Sequence, residues 1–237
     1  MYKRHTGTSD NVYQKLRAQI LHLELPPGSL ISEIDTAEKY EVSRTPVRDA
    51  FKVLESEGLL EIKPHIGTFV SMIDLSMISD ILYIRTVLER EILNDLIISF
   101  DKSQEANIRL LLKKQRELLD MELSEEELGR AFILSDNEFH DTLYKMAGKQ
   151  NVMHIFRGIN SQYERFRTLI NREGRDSLLH LYAEHESIWE YIVSKDFEKL
   201  SACITHHICD GFYKSASIVY KYPEYFDLND TKENHKE

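Results

Sequence analysis

The sequence predicts a mostly α protein: an N-terminal winged helix-turn-helix followed by an all-α antiparallel helical bundle. Three observations carry this reading. Apolar residues recur at three- and four-residue spacing through most of the chain, the signature of helices with one buried face. The stretch 59–71 departs from that period and reads as two short strands around a turn. Gly and Pro are scarce, nine and five of 237 residues, which argues against a turn-rich all-β protein.

The elements follow in order. Asp10 to Leu23 reads as a first helix, with Val12, Leu16, Ile20 and Leu23 on one face, stopped by Pro26-Pro27-Gly28. A short helix is expected from about Glu33 to Tyr40 with Ser32 as its cap. A third begins near Thr45-Pro46, where Thr45 suits the N-cap and Pro46 the first helical position. Ala50, Phe51 and Leu54 form its apolar face and Gly58 ends it. Leu59–Ile62 and Thr68–Ser71 read as strands, with Lys63–Gly67 turning between them. Residues 1–73 thus form a reading head, and Met72–Ser76 is the expected hinge. Six helices are then expected at about 76–99, 102–121, 124–147, 151–172, 175–194 and 197–220. Short loops between them favour an up-and-down bundle over 74–222. Residues 223–237 read as a polar, unstructured tail.

Composition narrows the function classes. With 42% hydrophobic and 30% charged residues, the chain is ordinary for a soluble globular protein. No apolar run approaches the ~18 residues of a membrane span, and the N-terminus lacks the apolar core of a signal peptide. Cys203 and Cys209 point to different sides of one expected helix, so neither a disulfide nor a metal pair is expected. A reduced cytoplasmic protein is the simple reading. The net charge of −10 is awkward for a nucleic-acid binder. Residues 1–73, however, carry nine Lys/Arg against ten Asp/Glu. The acidity therefore lies mostly outside the expected reading head.

In a helix-turn-helix the second helix enters the major groove N-terminus first. Arg44, Thr45 and Arg48 then lie nearest the bases, and arginine suits bidentate contact with guanine O6 and N7. Ser43 and Thr45 can bond phosphate at the positive helix end. Lys63 and His65 sit at the wing tip, within reach of backbone or minor groove. Isolated surface arginines are commonly just solvated. The ordered set of cap, Pro, arginines, Gly stop and hairpin favours the reading role.

The bundle carries its own polar set. Asp136 and His140 are four apart and share a face. His185 and His207 stand eleven residues before and after the expected turn at 196, and so at one height of a helical hairpin. A carboxylate and three imidazoles at one level of a bundle core can make a metal site. Spacing alone leaves ordinary core histidines and a solvated Asp–His pair as alternatives. An enzyme using such a site would need a general base nearby, and no residue is forced there by spacing, so the chain is read as non-enzymatic.

Several motifs carry a family resemblance. Glu41-Val42-Ser43-Arg44-Thr45-Pro46-Val47-Arg48-Asp49-Ala50-Phe51, Leu54-Glu55-Ser56-Glu57-Gly58-Leu59-Leu60 and Gly67-Thr68-Phe69-Val70 resemble the GntR family of bacterial regulators. Asp136–His140, Glu184–Ile188 and His207-Ile208 resemble the FCD effector domain of its FadR branch, and six helices resemble the VanR-like subgroup. The resemblance implies a cytoplasmic homodimer that binds a palindromic double-stranded DNA operator, usually as a repressor. It also places Gly67 in the wing beside His65. It implies a divalent metal on Asp136, His140, His185 and His207, zinc foremost, with nickel, manganese or iron compatible with the same donors. An effector carboxylate would meet Arg85, with a salt bridge from Arg85 to Glu89 as an equal alternative; separately, Asn160, Tyr163 and Arg165 fall near the metal's height on the expected fourth bundle helix and are further candidate lining residues. Ser32-Glu33-Ile34-Asp35 departs from the family, many members of which carry an arginine there. A metal sensor, a purely structural metal and a metal-dependent enzyme stand as rivals for the bundle.

Overall fold

The structure, a computed structural model, describes residues 7–228. The chain divides into two compact units: Met1–Met77 with Ser161–Phe166 and Val219–Glu237, and Ile78–Asn160 with Arg167–Ile218.

The first unit contains helices α1 (Gly7–Leu21), α2 (Glu33–Lys39) and α3 (Arg44–Ser56) and strands β1 (Leu30–Ile31), β2 (Leu60–Lys63) and β3 (Gly67–Val70). Its core is the apolar face of α1, Val12, Leu16 and Ile20, set against Val47, Ala50, Phe51 and Leu54 of α3 and closed by Leu59, Leu60 and Val70. Burying each of the larger side chains contributes about 1.5–3 kcal/mol. Ser32 caps α2 as expected, accepting from the N–H groups of Ile34 and Asp35. The cap of α3 differs from the expectation. It is Ser43 rather than Thr45, so Pro46 is the third helical residue. That position costs nothing, because the first four N–H groups of a helix have no intrahelical partner. Gly58 follows the helix at φ +68°, the left-handed stop that glycine adopts without strain.

The hairpin is shifted by one residue from its expected limits and gains a strand. β3 lies between β1 and β2, antiparallel to both, with Leu30 opposite Phe69 and Lys63 opposite Gly67. A two-residue strand is too short to leave a periodic signal, which is why β1 is absent from the sequence reading.

The linker after the wing is well held. Arg165 donates to the carbonyls of Ser71 (2.6 Å) and Met72 (3.1 Å). Gln162 Oε1 accepts from the Asp74 N–H, and Asp74 Oδ1 accepts from the N–H groups of Ser76 and Met77. The first part of the expected unstructured tail is structured. Pro223–Tyr225 forms a 3₁₀ turn, Phe226 is buried, and Ile73 exchanges backbone hydrogen bonds with Tyr225 and Asp227. One large aromatic in a polar stretch is enough to dock it. Residues 229–237 of that expected tail lie outside the described residues.

The second unit is helical: most of α4 (Leu75–Ser99), then α5 (Glu105–Leu119), α6 (Glu125–Met146), α7 (Gln150–Arg157), the end of α8 (Ser161–Ile170), α9 (Arg175–Ser194), α10 (Phe197–Tyr213) and part of α11 (Ser215–Lys221). Helices α5, α6, α9 and α10 pack on one another. Ser124 and Glu127 form a capping box at the start of α6. Two expected helices are broken. The helix expected over 151–172 is interrupted at 158–160, and the one over 197–220 at Lys214. The helix expected from 102 opens with a 3₁₀ turn, Lys102–Gln104.

Candidate metal centre and nucleic-acid interface

The exposed face of the first unit begins at the N-terminus of α3. Arg44 and Arg48 are about half exposed, and both pair with Glu33 at the start of α2, at 3.5 and 3.1 Å. Arg48 grips both carboxylate oxygens. Its hydrogen bonds hold the Glu33 carboxyl below the usual range. Ser43 and Thr45 are exposed beside them. Across the wing turn His65 adopts φ +63° and is exposed. Lys63 pairs with Glu61 at 3.2 Å and stands over the Phe69 ring. Gly67 has φ +151°, and a Cβ there would meet Leu30 Cδ1 at 2.6 Å. The expected DNA-contacting residues thus lie along the helix start and the wing of one unit.

The polar set of the second unit converges. Asp136 and His140 project from α6, His185 from α9 and His207 from α10, all buried, with one donor atom of each within 4.8 Å of the others. His140 Nε2 and His207 Nε2 are 3.1 Å apart. Asp136 Oδ1 is 3.3 Å from His185 Nε2 and 4.0 Å from His140 Nε2. The far nitrogen of each ring meets an acceptor. His207 Nδ1 lies 2.9 Å from Glu184 Oε2, and His185 Nδ1 lies 2.9 Å from Gln115 Oε1. His140 Nδ1 stands 2.8 Å from Glu89 Oε2, at ion-pair distance but with its N–H misaligned. The acceptors at His185 Nδ1 and His207 Nδ1 favour the tautomer that leaves the converging Nε2 of those two rings as a lone pair. Phe139 stacks on the His185 ring at 4.3 Å and fixes its plane.

Charge follows the same logic. Burial alone would raise the Asp136 carboxyl, but the Arg167 guanidinium at 2.6 Å, with His185, holds it well below the carboxylate range. Burial likewise opposes ionisation of Glu89, and Arg85 and His140 outweigh it. Burial pushes His185 and His207 below the usual histidine range, so both stay neutral and nucleophilic near pH 7.

His185 provides the test of fit to a metal. Its Nε2 is fully buried, has no hydrogen-bond partner, and faces the Asp136 oxygen. Two lone pairs facing one another out of water repel, and a cation between them relieves the cost. Three imidazole nitrogens and one carboxylate oxygen are the donor set of a divalent transition metal. The residues fit.

Of the remaining expected residues, Arg85 forms the salt bridge that was expected as its alternative. Arg85 is buried and donates to Glu89 Oε1 at 2.6 Å, so it is linked to His140 through that carboxylate. Asn160 is buried at the N-terminus of α8. Tyr163 and Arg165 belong to the first unit. Arg165 turns to the linker carbonyls, not to the cluster, and burial pushes its pKa down to about 10. Arg167, two residues on and about 200° around the helix, is the arginine that meets Asp136. Sequence spacing missed Arg167, Glu89, Gln115 and Glu184. Only Glu184, beside His185 in a quoted motif, and Glu89, four from Arg85, left any signal.

Comparison with known proteins agrees with both halves. Residues 8–70 match the model of bacterial regulatory proteins, gntR family, and residues 80–210 match the FCD domain. An HTH-type transcriptional regulator in an unstable DNA locus of Streptomyces ambofaciens is 30% identical over 217 residues, covering 91% of this chain and 88% of the relative. The HTH-type transcriptional repressor RspR of Escherichia coli (strain K12) is 26% identical over 200 residues, 84% of this chain and 85% of its own. Among solved structures, E. coli McbR/YncC shares the fold with a TM-score of 0.69 at 17% identity, covering 92% of this chain and all of its own.

Proposed function

The chain belongs to the gntR family of bacterial regulatory proteins and carries an FCD domain; from that premise we propose that it is a homodimeric, cytoplasmic repressor whose operator binding is set by a small organic acid held at a metal in the helical unit. It is a DNA-binding transcription regulator by family. The finer reading rests chiefly on one observation: the buried His185 Nε2, without a hydrogen-bond partner, 3.3 Å from Asp136 Oδ1. Asp136, His140, His185 and His207 would hold a divalent ion, zinc in the first instance. The ion would supply a Lewis-acidic centre for a carboxylate.

The charge around the cluster supports an anionic effector. Asp136, Glu89 and Glu184 carry three negative charges, against two on Arg85 and Arg167. A dication reverses that balance to net positive, which a monocarboxylate then neutralises. Arg85 is the proposed partner of that carboxylate, exchanging part of its bond to Glu89. Asn160 remains a proposed lining residue.

On the DNA side, Arg44, Thr45 and Arg48 are proposed to read bases. Ser43, Lys63, His65 and Gly67 are proposed to position the backbone. The effector changes operator affinity only insofar as it binds the DNA-free and DNA-bound forms differently. RspR is named a repressor, which favours repression over activation here.

The test is to select a high-affinity DNA site with the zinc-loaded protein, then titrate small carboxylic acids and follow DNA affinity. The expected outcome is a shift with at least one acid, lost in His185→Ala, which should also lose bound metal while staying folded. If metal alone changes DNA affinity and no acid does, the protein is a metal sensor. Full metal content in His185→Ala would remove the cluster from the account.

A further inference from the structure

Glu184 has two oxygens with different neighbours. Oε2 accepts from His207 Nδ1 of the buried cluster. Oε1 faces outward, 2.8 Å from His206 Nδ1 and 3.5 Å from His180 Nε2. His180 and Glu184 lie four apart on one face of α9. His206 comes from α10, beside His207 but about 100° around the helix. The side chains of His180 and His206 are 54% and 57% exposed, and that of Glu184 only 10%.

We propose that His180, Glu184 and His206 form a second, surface metal site for a borderline divalent ion such as zinc, nickel or cobalt, joined to the buried cluster through the shared Glu184 carboxylate. The three donor atoms already lie within 4.8 Å of one another. Two donors bound about 2.0–2.1 Å from one tetrahedral ion stand roughly 3.3–3.5 Å apart. The 2.8 and 3.5 Å separations therefore need shifts of only a few tenths of an ångström, from exposed and rotatable rings. Two imidazoles with one carboxylate select against calcium and magnesium, which take oxygen donors, and against copper(I), which prefers sulfur. Water fills the remaining positions. Histidine also loses nothing by ligating here. The proton on the nitrogen that faces Glu184, Nδ1 of His206 or Nε2 of His180, moves to the other nitrogen of that ring, so the neutral ring keeps its proton count.

An ordinary surface Glu–His pair needs one partner per carboxylate. Here one oxygen is committed inward and the other has two imidazoles converging on it.

Sharing Glu184 couples the two sites, a consequence that rests on the buried cluster binding metal. A cation on Oε1 draws electron density from Oε2 and weakens its bond to His207 Nδ1–H. The imidazole becomes a poorer donor, so filling the outer site lowers affinity at the inner one. By linkage the inner ion weakens the outer site by the same factor.

The experiment uses the full chain stripped by chelator and titrated with zinc by calorimetry, with metal content read by mass spectrometry. Wild type should bind two equivalents per chain, in a tighter and a weaker class. His180→Ala and His206→Ala should keep only the tighter class. His185→Ala should keep only the weaker, so loss of the inner reading alone is visible as a surviving outer site. His154→Ala, at an exposed histidine outside both clusters, should titrate as wild type. Glu184→Gln should lose the outer class and weaken the inner on the order of tenfold or more. His206→Ala should instead leave inner affinity no weaker. A single equivalent in wild type, or two in His180→Ala and His206→Ala, overturns the outer site. An inner affinity in wild type that is the same before and after the outer site fills overturns the coupling.

Discussion

Single side chains show most clearly what spacing encodes. Asp136, His140, His185 and His207 are legible because helix period and hairpin symmetry place them at one level, and the structure brings their donors together. Gln115 and Arg167 are not legible, because their roles depend on how one helix packs on another. Gln115 holds His185 Nδ1 from α5, so Gln115→Leu should lower inner-site zinc affinity by roughly 10–100-fold with secondary structure retained. A competition titration against a chromophoric chelator measures it, and unchanged affinity would show that the amide only fills space. Glu33 makes a second residue-scale case. It neutralises Arg44 and Arg48 in the DNA-free protein, and DNA phosphate must compete with it. Glu33→Gln should therefore strengthen binding to non-specific duplex and steepen the dependence of log K on log salt by about one phosphate contact. Should the salt slope stay unchanged, Glu33 keeps its arginines in the complex and acts in base recognition instead.

At the level of elements, glycine conformation decides which boundaries can be read. Gly58, Gly148 and Gly174 all have positive φ, and all mark stops that the sequence reading places correctly. Gly158 ends α7 at φ −69°, a conformation any residue adopts, and the break it accompanies is not expected from sequence. Lys214 gives no stop signal either. Gly129 lies inside α6 for a packing reason: a Cβ there would stand 2.9 Å from the carbonyl oxygen of Asn171. Gly→Ala inside a helix ordinarily gains up to about 1 kcal/mol. Here the obstacle is backbone, so overpacking should dominate and Gly129→Ala should destabilise by about 1–3 kcal/mol. Gly211 offers a contrast, since its Cβ would meet the Ile170 side chain, closest at Cδ1, 2.9 Å, a side-chain end that can turn away. Urea denaturation of both variants separates the two; a stabilised Gly129→Ala would mean that α6 can move off the 171–173 turn at little cost.

For the whole molecule, the division into a reading head and a helical unit was legible, because the hydrophobic period changes at 59–71 and the acidity lies beyond residue 73. The assignment of Ser161–Phe166 and the chain from Val219 to the first unit was not, since it rests on Arg165 holding the linker carbonyls and on Phe226 docking beside Ile73. The buried cluster also makes the stability of the whole chain depend on pH. His185 and His207 are held below their ordinary value of 6.5 by burial. Below that value the unfolded chain takes up protons that the folded chain refuses, so acid favours unfolding. Each such histidine costs up to about 1.4 kcal/mol per pH unit, from about pH 6.5 down to its folded pKa. Asp136 and Glu89, whose carboxyls are held low, act in the same direction but only at lower pH, near the ordinary carboxylate range. Metal-free protein in chelator should therefore keep a constant Tm above pH 7 and lose stability steadily between pH 6.5 and 5, before the carboxylates titrate. A Tm that is flat across that interval would show that His185 and His207 take up protons as readily in the folded chain as in the unfolded one, and so that burial does not hold them neutral.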